Sequence, residues 1–191
     1  DYTYLTQLMI NLYEVTGEKN YLNDAKEVAQ KTWDLFYDKG NKILQKNIIK
    51  KNDLFVPPSD INDSNIPNGN SIFLLNCKKL ESITSEIKWK KMSNELMKSF
   101  HSYLNLQSTQ MVSYIKNLDM CDEIKTFTFF GDFNKNKELY HYVKKNYLMS
   151  ATLIYKNDSK ENYLIVCKNQ TCSNKIKSLE ELKSTLKNYA I

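Results

Sequence analysis

The sequence contains no arginine: all 27 of its basic residues are lysines, set against 22 Asp and Glu. Proteins that recognise particular bases usually include guanidinium groups, which form paired hydrogen bonds with guanine or phosphate. Its absence argues against specific binding of nucleic acid. We attribute the net charge of +5 to lysines on the solvated surface. Weak nonspecific binding of polyanions is the alternative interpretation.

Long apolar segments are also missing, since no stretch approaches the roughly 20 apolar residues that span a bilayer. We therefore expect no membrane partner. The four cysteines, at positions 77, 121, 167 and 172, are few and widely spread, which favours thiols in a reducing compartment. No charged leader with an apolar core opens the sequence. We predict a cytoplasmic protein, although its true N-terminus is not visible here.

Familiar catalytic motifs are absent as well. The sequence has no glycine-rich phosphate loop, no zinc-protease helix motif and no nucleophile elbow. Its two histidines, His101 and His141, stand apart in lysine-rich segments, and neither has a recognisable catalytic partner. We predict no cofactor and no metal site.

Helical periodicity dominates the first part of the sequence. A first apolar stripe, at the spacing of one helical face, consists of Leu5, Leu8, Met9, Leu12 and Tyr13. Similar stripes predict helices over residues 22–36, 71–83, 85–104 and 108–118. Ser85 and Ser108 are expected to cap the last two. Because the links after the first and third helices are short, these helices should form antiparallel hairpins.

Shorter β-favouring segments follow residue 122, at residues 124–130, 151–155 and 163–167. They are interleaved with helical patterns over residues 134–147 and after Ser178, which opens a capping box. We therefore predict a mainly α protein, with helical hairpins over residues 1–121 and a small β-α-β-β-α module over residues 122–191. Residues 38–69 should form a long connection with short strands near residues 43–44 and 54–56.

Four carboxylates lie near predicted loops or helix ends, namely Asp1, Glu14, Asp60 and Asp63. Asp1 is as suited to capping a helix as to acid catalysis, and aspartates in loops commonly form turns. The sequence does not establish whether any two face each other, as acid–base chemistry on a sugar requires.

The segment at residues 66–71 enters a helix directly, and we predict that Asn70 or Ser71 caps it. Free N–H groups at such a helix start can bind an anion or a sugar hydroxyl. Plain capping is the alternative.

Cys167 and Cys172 are separated by four residues, a spacing found neither in the usual redox motif nor in a typical zinc knuckle. Structural thiols are the favoured interpretation, and a redox-active pair is the alternative.

Three segments together resemble the spermatogenesis-associated protein 20 family: residues 1–17 (DYTYLTQLMINLYEVTG), residues 67–71 (PNGNS) and residues 166–172 (VCKNQTC). Asn68 replaces the serine usual in that family, and Lys168 and Gln170 are further departures. The order and spacing of all three segments agree with the family pattern.

The resemblance implies a longer parent protein, in which a thioredoxin-like domain precedes an (α/α) six-hairpin toroid similar to those of glycosidases and N-acylglucosamine 2-epimerases. This chain would be the C-terminal part, with a partial toroid. The matched segments imply a candidate pocket formed by Asp1, Tyr2, Asn68, Gly69, Asn70 and Ser71.

Carbohydrate binding or processing is the leading functional expectation from this resemblance, and no catalytic residue is assigned. An enzyme of glycosidase or sugar-epimerase type remains open. Two alternatives remain: a noncatalytic scaffold that docks on the thioredoxin-like domain, or a thiol–disulfide partner of that domain acting through Cys167 and Cys172.

Overall fold

The computed structural model of the protein describes residues 1–48, 61–147, 151–168 and 171–188. The described part of the chain is mainly helical and contains a four-stranded mixed sheet and a two-stranded antiparallel pair. It divides into two compact units, Asp1–Asp119 (unit 1) and Met120–Ile191 (unit 2). The expected strand near residues 54–56 and the carboxylate of Asp60 lie outside the described residues.

Unit 1 begins with a helical hairpin formed by α1 (Tyr2–Thr16) and α2 (Lys19–Phe36). Gly17 ends α1 in the left-handed conformation, with φ of 73°, and its N–H donates to the Tyr13 carbonyl at 2.8 Å. Glycine adopts this conformation without strain, which explains its position after the helix. The predicted hairpin is confirmed.

A second hairpin consists of α3 (Gly69–Thr84) and α4 (Ile87–Gln107). The expectation that Ser85 caps α4 is wrong. Ser85 instead ends α3 in the left-handed conformation, and Glu86 occupies the residue before α4. A link of only two residues leaves no room for a separate capping segment, so the end of one helix and the start of the next share it.

Helix α5 (Val112–Glu123) follows a short 3-10 turn at Ser108–Gln110. The expectation that Ser108 caps α5 is wrong, because Ser108 lies in this turn directly after α4 and α5 begins only at Val112. The Tyr114 ring of α5 stacks on Phe100 of α4, with ring centroids 4.7 Å apart. Both side chains are fully buried, so α5 completes the core of unit 1.

Helices α1 and α3 run in the same direction. The Nζ of Lys79 lies 2.8 Å from Glu14, near the ends of α3 and α1, whereas a Cβ placed on Gly69 at the start of α3 would contact Thr3 at the start of α1. Helix α5 also contacts α3, because Asn117 donates to the carbonyl of Ser71 at 2.8 Å. The starts of α1 and α3 therefore meet at one end of unit 1.

The buried side of α1 differs from the predicted stripe. Leu5 and Leu8 are 40% and 50% exposed, although both were expected to face the core. The buried residues of the helix are instead Thr3, Thr6, Ile10, Tyr13 and Glu14. This side packs against α2 and α3, where Asn76 donates to the Thr3 carbonyl and Lys79 pairs with Glu14.

A short antiparallel pair connects the two hairpins. Strand β1 (Tyr37–Asp38) pairs with β2 (Ile43–Leu44), with Tyr37 opposite Leu44. The Asp38 carboxylate accepts hydrogen bonds from the Gly40 N–H at 2.9 Å and from the Asn41 amide at 2.7 Å. These bonds close the turn and set the position of the residues that follow β2.

Unit 2 has the predicted order of strands and helices, with one additional short strand. Its elements are β3 (Lys125–Phe130), α6 (Lys137–Tyr147), β4 (Ala151–Lys156), β5 (Tyr163–Lys168), β6 (Thr171–Cys172) and α7 (Leu179–Asn188). The strand order in the sheet is β4-β3-β5-β6. Strands β3 and β4 are parallel and are joined through α6, whereas β5 is antiparallel to both β3 and β6.

The predicted capping box at the start of α7 is present in a variant form. The Glu181 N–H donates to the Ser178 hydroxyl at 3.2 Å, and the Glu181 carboxylate accepts from the Lys177 N–H at 2.7 Å. Glu181 thus reaches one residue further back than the standard motif requires.

Candidate functional site

A cavity of about 400 Å³ opens in unit 1 where the starts of α1 and α3 meet. It is lined by Asp1 and the first residues of α1, by Thr32 and Phe36 of α2, by the end of β2 and the two residues after it (residues 44–46), and by residues 66–70 at the entry to α3. Segments far apart in sequence therefore build one concave site, of the size that holds a small ligand.

Five of the six predicted pocket residues line this cavity, namely Asp1, Tyr2, Asn68, Gly69 and Asn70. Ser71, the sixth, is not among the lining residues. Its side chain is 1% exposed, and its carbonyl accepts the hydrogen bond from Asn117. Ser71 therefore serves the packing of α3 against α5.

Asn68 caps α3, so the prediction that Asn70 or Ser71 provides the cap is wrong by two residues or more. The Asn68 side-chain oxygen accepts from the Asn70 N–H at 2.8 Å. The Asn68 N–H in turn donates to Asp63 at 2.8 Å. An extended backbone at Asn68, with φ −64° and ψ 136°, is the conformation that a capping residue requires.

Asn70 shapes the wall of the cavity by binding the main chain of Leu44. Its side-chain NH₂ donates to the Leu44 carbonyl at 2.9 Å, and its side-chain oxygen accepts from the Leu44 N–H at 2.7 Å. Asn70 and Leu44 are both buried. The Asn70 amide thus forms the two main-chain hydrogen bonds that a neighbouring strand would otherwise form with Leu44. It holds the end of β2 against α3.

Aromatic rings form much of the apolar surface of the site. Tyr2 packs edge-on against Phe36, with ring centroids 5.3 Å apart. The Tyr4 hydroxyl donates to the Pro67 carbonyl at 2.8 Å. Partial burial, with a smaller effect from the negative charge of Asp63, raises the pKa of Tyr4. Tyr4 therefore remains a neutral hydrogen-bonding group at physiological pH.

Asp1 is the one acidic residue among the described lining residues. It precedes α1, but its carboxylate forms no capping hydrogen bond. Capping therefore does not occupy this side chain. The described lining residues do not form the pair of facing carboxylates that acid–base hydrolysis of a glycoside uses.

The other two described carboxylates of the sequence prediction serve structural roles. Glu14 forms an ion pair with Lys79, and both residues are nine-tenths buried. Asp63 accepts hydrogen bonds from both the N–H and the hydroxyl of Ser113, which attaches the loop before α3 to the start of α5.

Sequence reasoning missed Gln45 and Lys46, which line the cavity from the segment after β2. Gln45 is only 8% exposed, and its NH₂ donates to Asp38 at 2.9 Å. Partial burial opposes ionisation of Asp38, but hydrogen bonds from Gly40, Asn41 and Gln45 outweigh it and hold its pKa below the ordinary value. No motif in the sequence marks either Gln45 or Lys46.

Cys167 and Cys172 form a disulfide in unit 2. The favoured expectation of unpaired thiols at these positions is therefore wrong. The alternative, a redox-active pair, requires the two residues to bond, and they do. Cys77 is a buried thiol and Cys121 a half-buried one.

The remaining predictions of absence concern metals and membranes. Within the described ranges, no three His, Cys, Asp or Glu side chains cluster as a metal site would require. His101 and His141 are both exposed. Among the helices described, none is long and apolar enough to cross a membrane.

No protein-family model matches the chain, and neither does any curated protein.

Proposed function

We propose that the cavity at the starts of α1 and α3 binds a carbohydrate. The observation that carries this proposal is the convergence of Asp1, Tyr2, Asn68, Gly69 and Asn70 on one cavity of about 400 Å³. The sequence analysis singled out two distant segments, residues 1–2 and residues 68–71, and all of their residues except Ser71 lie side by side along this cavity.

The chemistry of the lining suits a sugar. The rings of Tyr2 and Phe36 offer apolar surface to the C–H face of a pyranose, and the Asp1 carboxylate offers a hydrogen-bond acceptor to its hydroxyl groups. Pockets of this kind combine apolar walls with a few polar groups that fix the orientation of the ligand. Because one acidic residue lines the described part of the cavity, binding is better supported than hydrolysis.

We also propose that unit 1 is part of an (α/α) toroid in a protein of the spermatogenesis-associated protein 20 family. The shared direction of α1 and α3 supports this, since consecutive hairpins in a toroid place alternate helices in one parallel inner ring. The exposed apolar side chains of α1, including Leu5, Leu8 and Val15, would be buried by a neighbouring hairpin of such a toroid. A cytoplasmic location belongs to the same proposal.

The test is thermal unfolding of the chain with a panel of monosaccharides, amino sugars and oligosaccharides. A ligand at a hundredfold excess over its Kd stabilises by about 2.7 kcal/mol, which raises Tm by roughly 5–10 °C for a protein of this size. We expect a shift with one sugar class that Asp1→Asn and Tyr2→Ala reduce. Asp24→Asn, at an exposed site on α2, is the matched control and should leave the shift unchanged.

A second candidate function is a noncatalytic scaffold that docks on the thioredoxin-like domain of the parent protein. The exposed apolar face of α1 is the observation that favours it, since large exposed apolar patches commonly mark interaction surfaces. In the parent protein, Leu8→Asp should then weaken this docking and make the junction between the thioredoxin-like domain and unit 1 sensitive to protease. Under the carbohydrate proposal the same substitution leaves the sugar-induced shift intact, because Leu8 does not line the cavity.

A further inference from the structure

The disulfide of unit 2 joins two residues that face each other across a narrow β-hairpin. Cys167 near the end of β5 is directly opposite Cys172 at the end of β6. Cys172 is exposed and Cys167 is half-buried. Cys172 is therefore the residue of the pair that another molecule reaches more easily.

The hairpin has several contacts besides this bond. The Ser173 N–H donates to the Val166 carbonyl at 2.8 Å, and the Val166 N–H donates to the Ser173 hydroxyl at 3.1 Å. Further along, Leu164 and Ile176 exchange two main-chain hydrogen bonds of 2.8 and 2.9 Å. The strands are therefore held in register on the side of the hairpin that leads into α7.

The covalent bond closes only a short loop. Cys167 and Cys172 are separated by five positions in sequence, and the entropy that a disulfide removes from the unfolded chain decreases as the closed loop becomes shorter. This bond therefore stabilises the fold less than one that closes a longer loop. A pair that stays aligned when the bond opens is suited to opening and closing repeatedly.

We propose that Cys167 and Cys172 form a reversible dithiol–disulfide couple whose substrate is a dithiol of another protein. A thiolate of the partner attacks Sγ of Cys172, which forms a mixed disulfide and releases Cys167 as a thiolate that takes up a proton. The partner's second thiolate then displaces Cys172, which is protonated in turn. Two electrons pass to the couple, and the partner leaves as a disulfide.

The exposed position of Cys172 determines which sulfur is attacked. The incoming thiolate approaches along the S–S axis, and Cys172, the more exposed residue of the pair, offers it the easier approach. Cys167 is then the leaving thiolate and, during oxidation of the couple, the thiol that resolves the mixed disulfide. The carbohydrate cavity lies in unit 1, so this proposal does not depend on the proposed function.

The first experiment equilibrates the full chain in buffers of varied ratio of reduced to oxidised glutathione, followed by alkylation and peptide mapping. We expect both states of the pair to be populated across this range, with the same ratio reached from either direction. A pair that stays oxidised in every buffer would overturn the proposal, because structural disulfides resist the glutathione pool. Far-UV circular dichroism should be alike in the two states.

The second experiment separates the two sulfurs with single substitutions. Cys167→Ser leaves the exposed Cys172, which should form a mixed disulfide with glutathione disulfide at least about tenfold faster than the half-buried Cys167 left by Cys172→Ser. Equal rates, or the reverse order, would contradict the assigned roles. Circular dichroism of each variant establishes that it is folded. A sugar-induced thermal shift in either variant reports on the cavity alone.

Discussion

Replacing Asn70 by alanine tests the clamp that shapes the cavity wall. The substitution removes both hydrogen bonds that Asn70 forms with Leu44, of 2.9 and 2.7 Å. Since Leu44 is 5% exposed, water does not readily replace them. Each buried main-chain group left without a partner costs about 1–3 kcal/mol. Asn70→Ala should therefore lower the free energy of unfolding of unit 1 by about 2–6 kcal/mol.

The assay for this prediction is urea unfolding followed by tryptophan fluorescence. Both tryptophans of the chain, Trp33 and Trp89, lie in unit 1, so the signal reports on that unit. Asn20→Ala is the matched control, since Asn20 is exposed on α2 and its loss should change stability by less than about 0.5 kcal/mol. If Asn70→Ala were as mild as Asn20→Ala, the proposed clamp would be refuted.

Two further perturbations concern charged groups of unit 1. Glu14→Leu leaves the buried Lys79 ammonium without its carboxylate and should cost about 3–5 kcal/mol in urea unfolding, whereas adding Lys79→Met should recover most of this loss; a double variant as unstable as the single one would contradict the argument. Folding lowers the pKa of Asp38 from its ordinary value of 3.8. The ionised carboxylate therefore stabilises the fold above pH 3.8, and this stabilisation is lost as the pH falls through the pKa of Asp38 in the folded state. Asp38→Asn should therefore destabilise the chain at neutral pH, with the difference shrinking in acid; a constant difference in unfolding midpoint across pH would argue against this cause.

The helical hairpins were predictable from local information. Apolar residues at helical spacing and links of about two residues leave few arrangements other than antiparallel pairs. The face on which α1 packs was not predictable in the same way. Apolar side chains occur on more than one side of this helix, and the buried side faces partners on α2 and α3 that are distant in sequence, including Asn76 and Lys79.

The candidate site was accessible to sequence reasoning only in part. Tyr2 and Asn68 belong to segments that a family resemblance picks out, so they could be named in advance. Gln45 reaches the same cavity through the turn held by Asp38 and the clamp between Asn70 and Leu44. These contacts join residues far apart in sequence, and no local pattern encodes them.

Binding of a sugar in the cavity of unit 1 is the central claim, and saturation-transfer NMR of the sugar panel with the chain tests it most directly. We predict transfer to the ring C–H protons of one sugar class, because Tyr2 and Phe36 present their rings to the cavity. Tyr2→Ala should reduce the transfer, and Asp24→Asn should not. Absence of transfer from every sugar to the folded chain, or transfer that Tyr2→Ala leaves unchanged, would contradict the account.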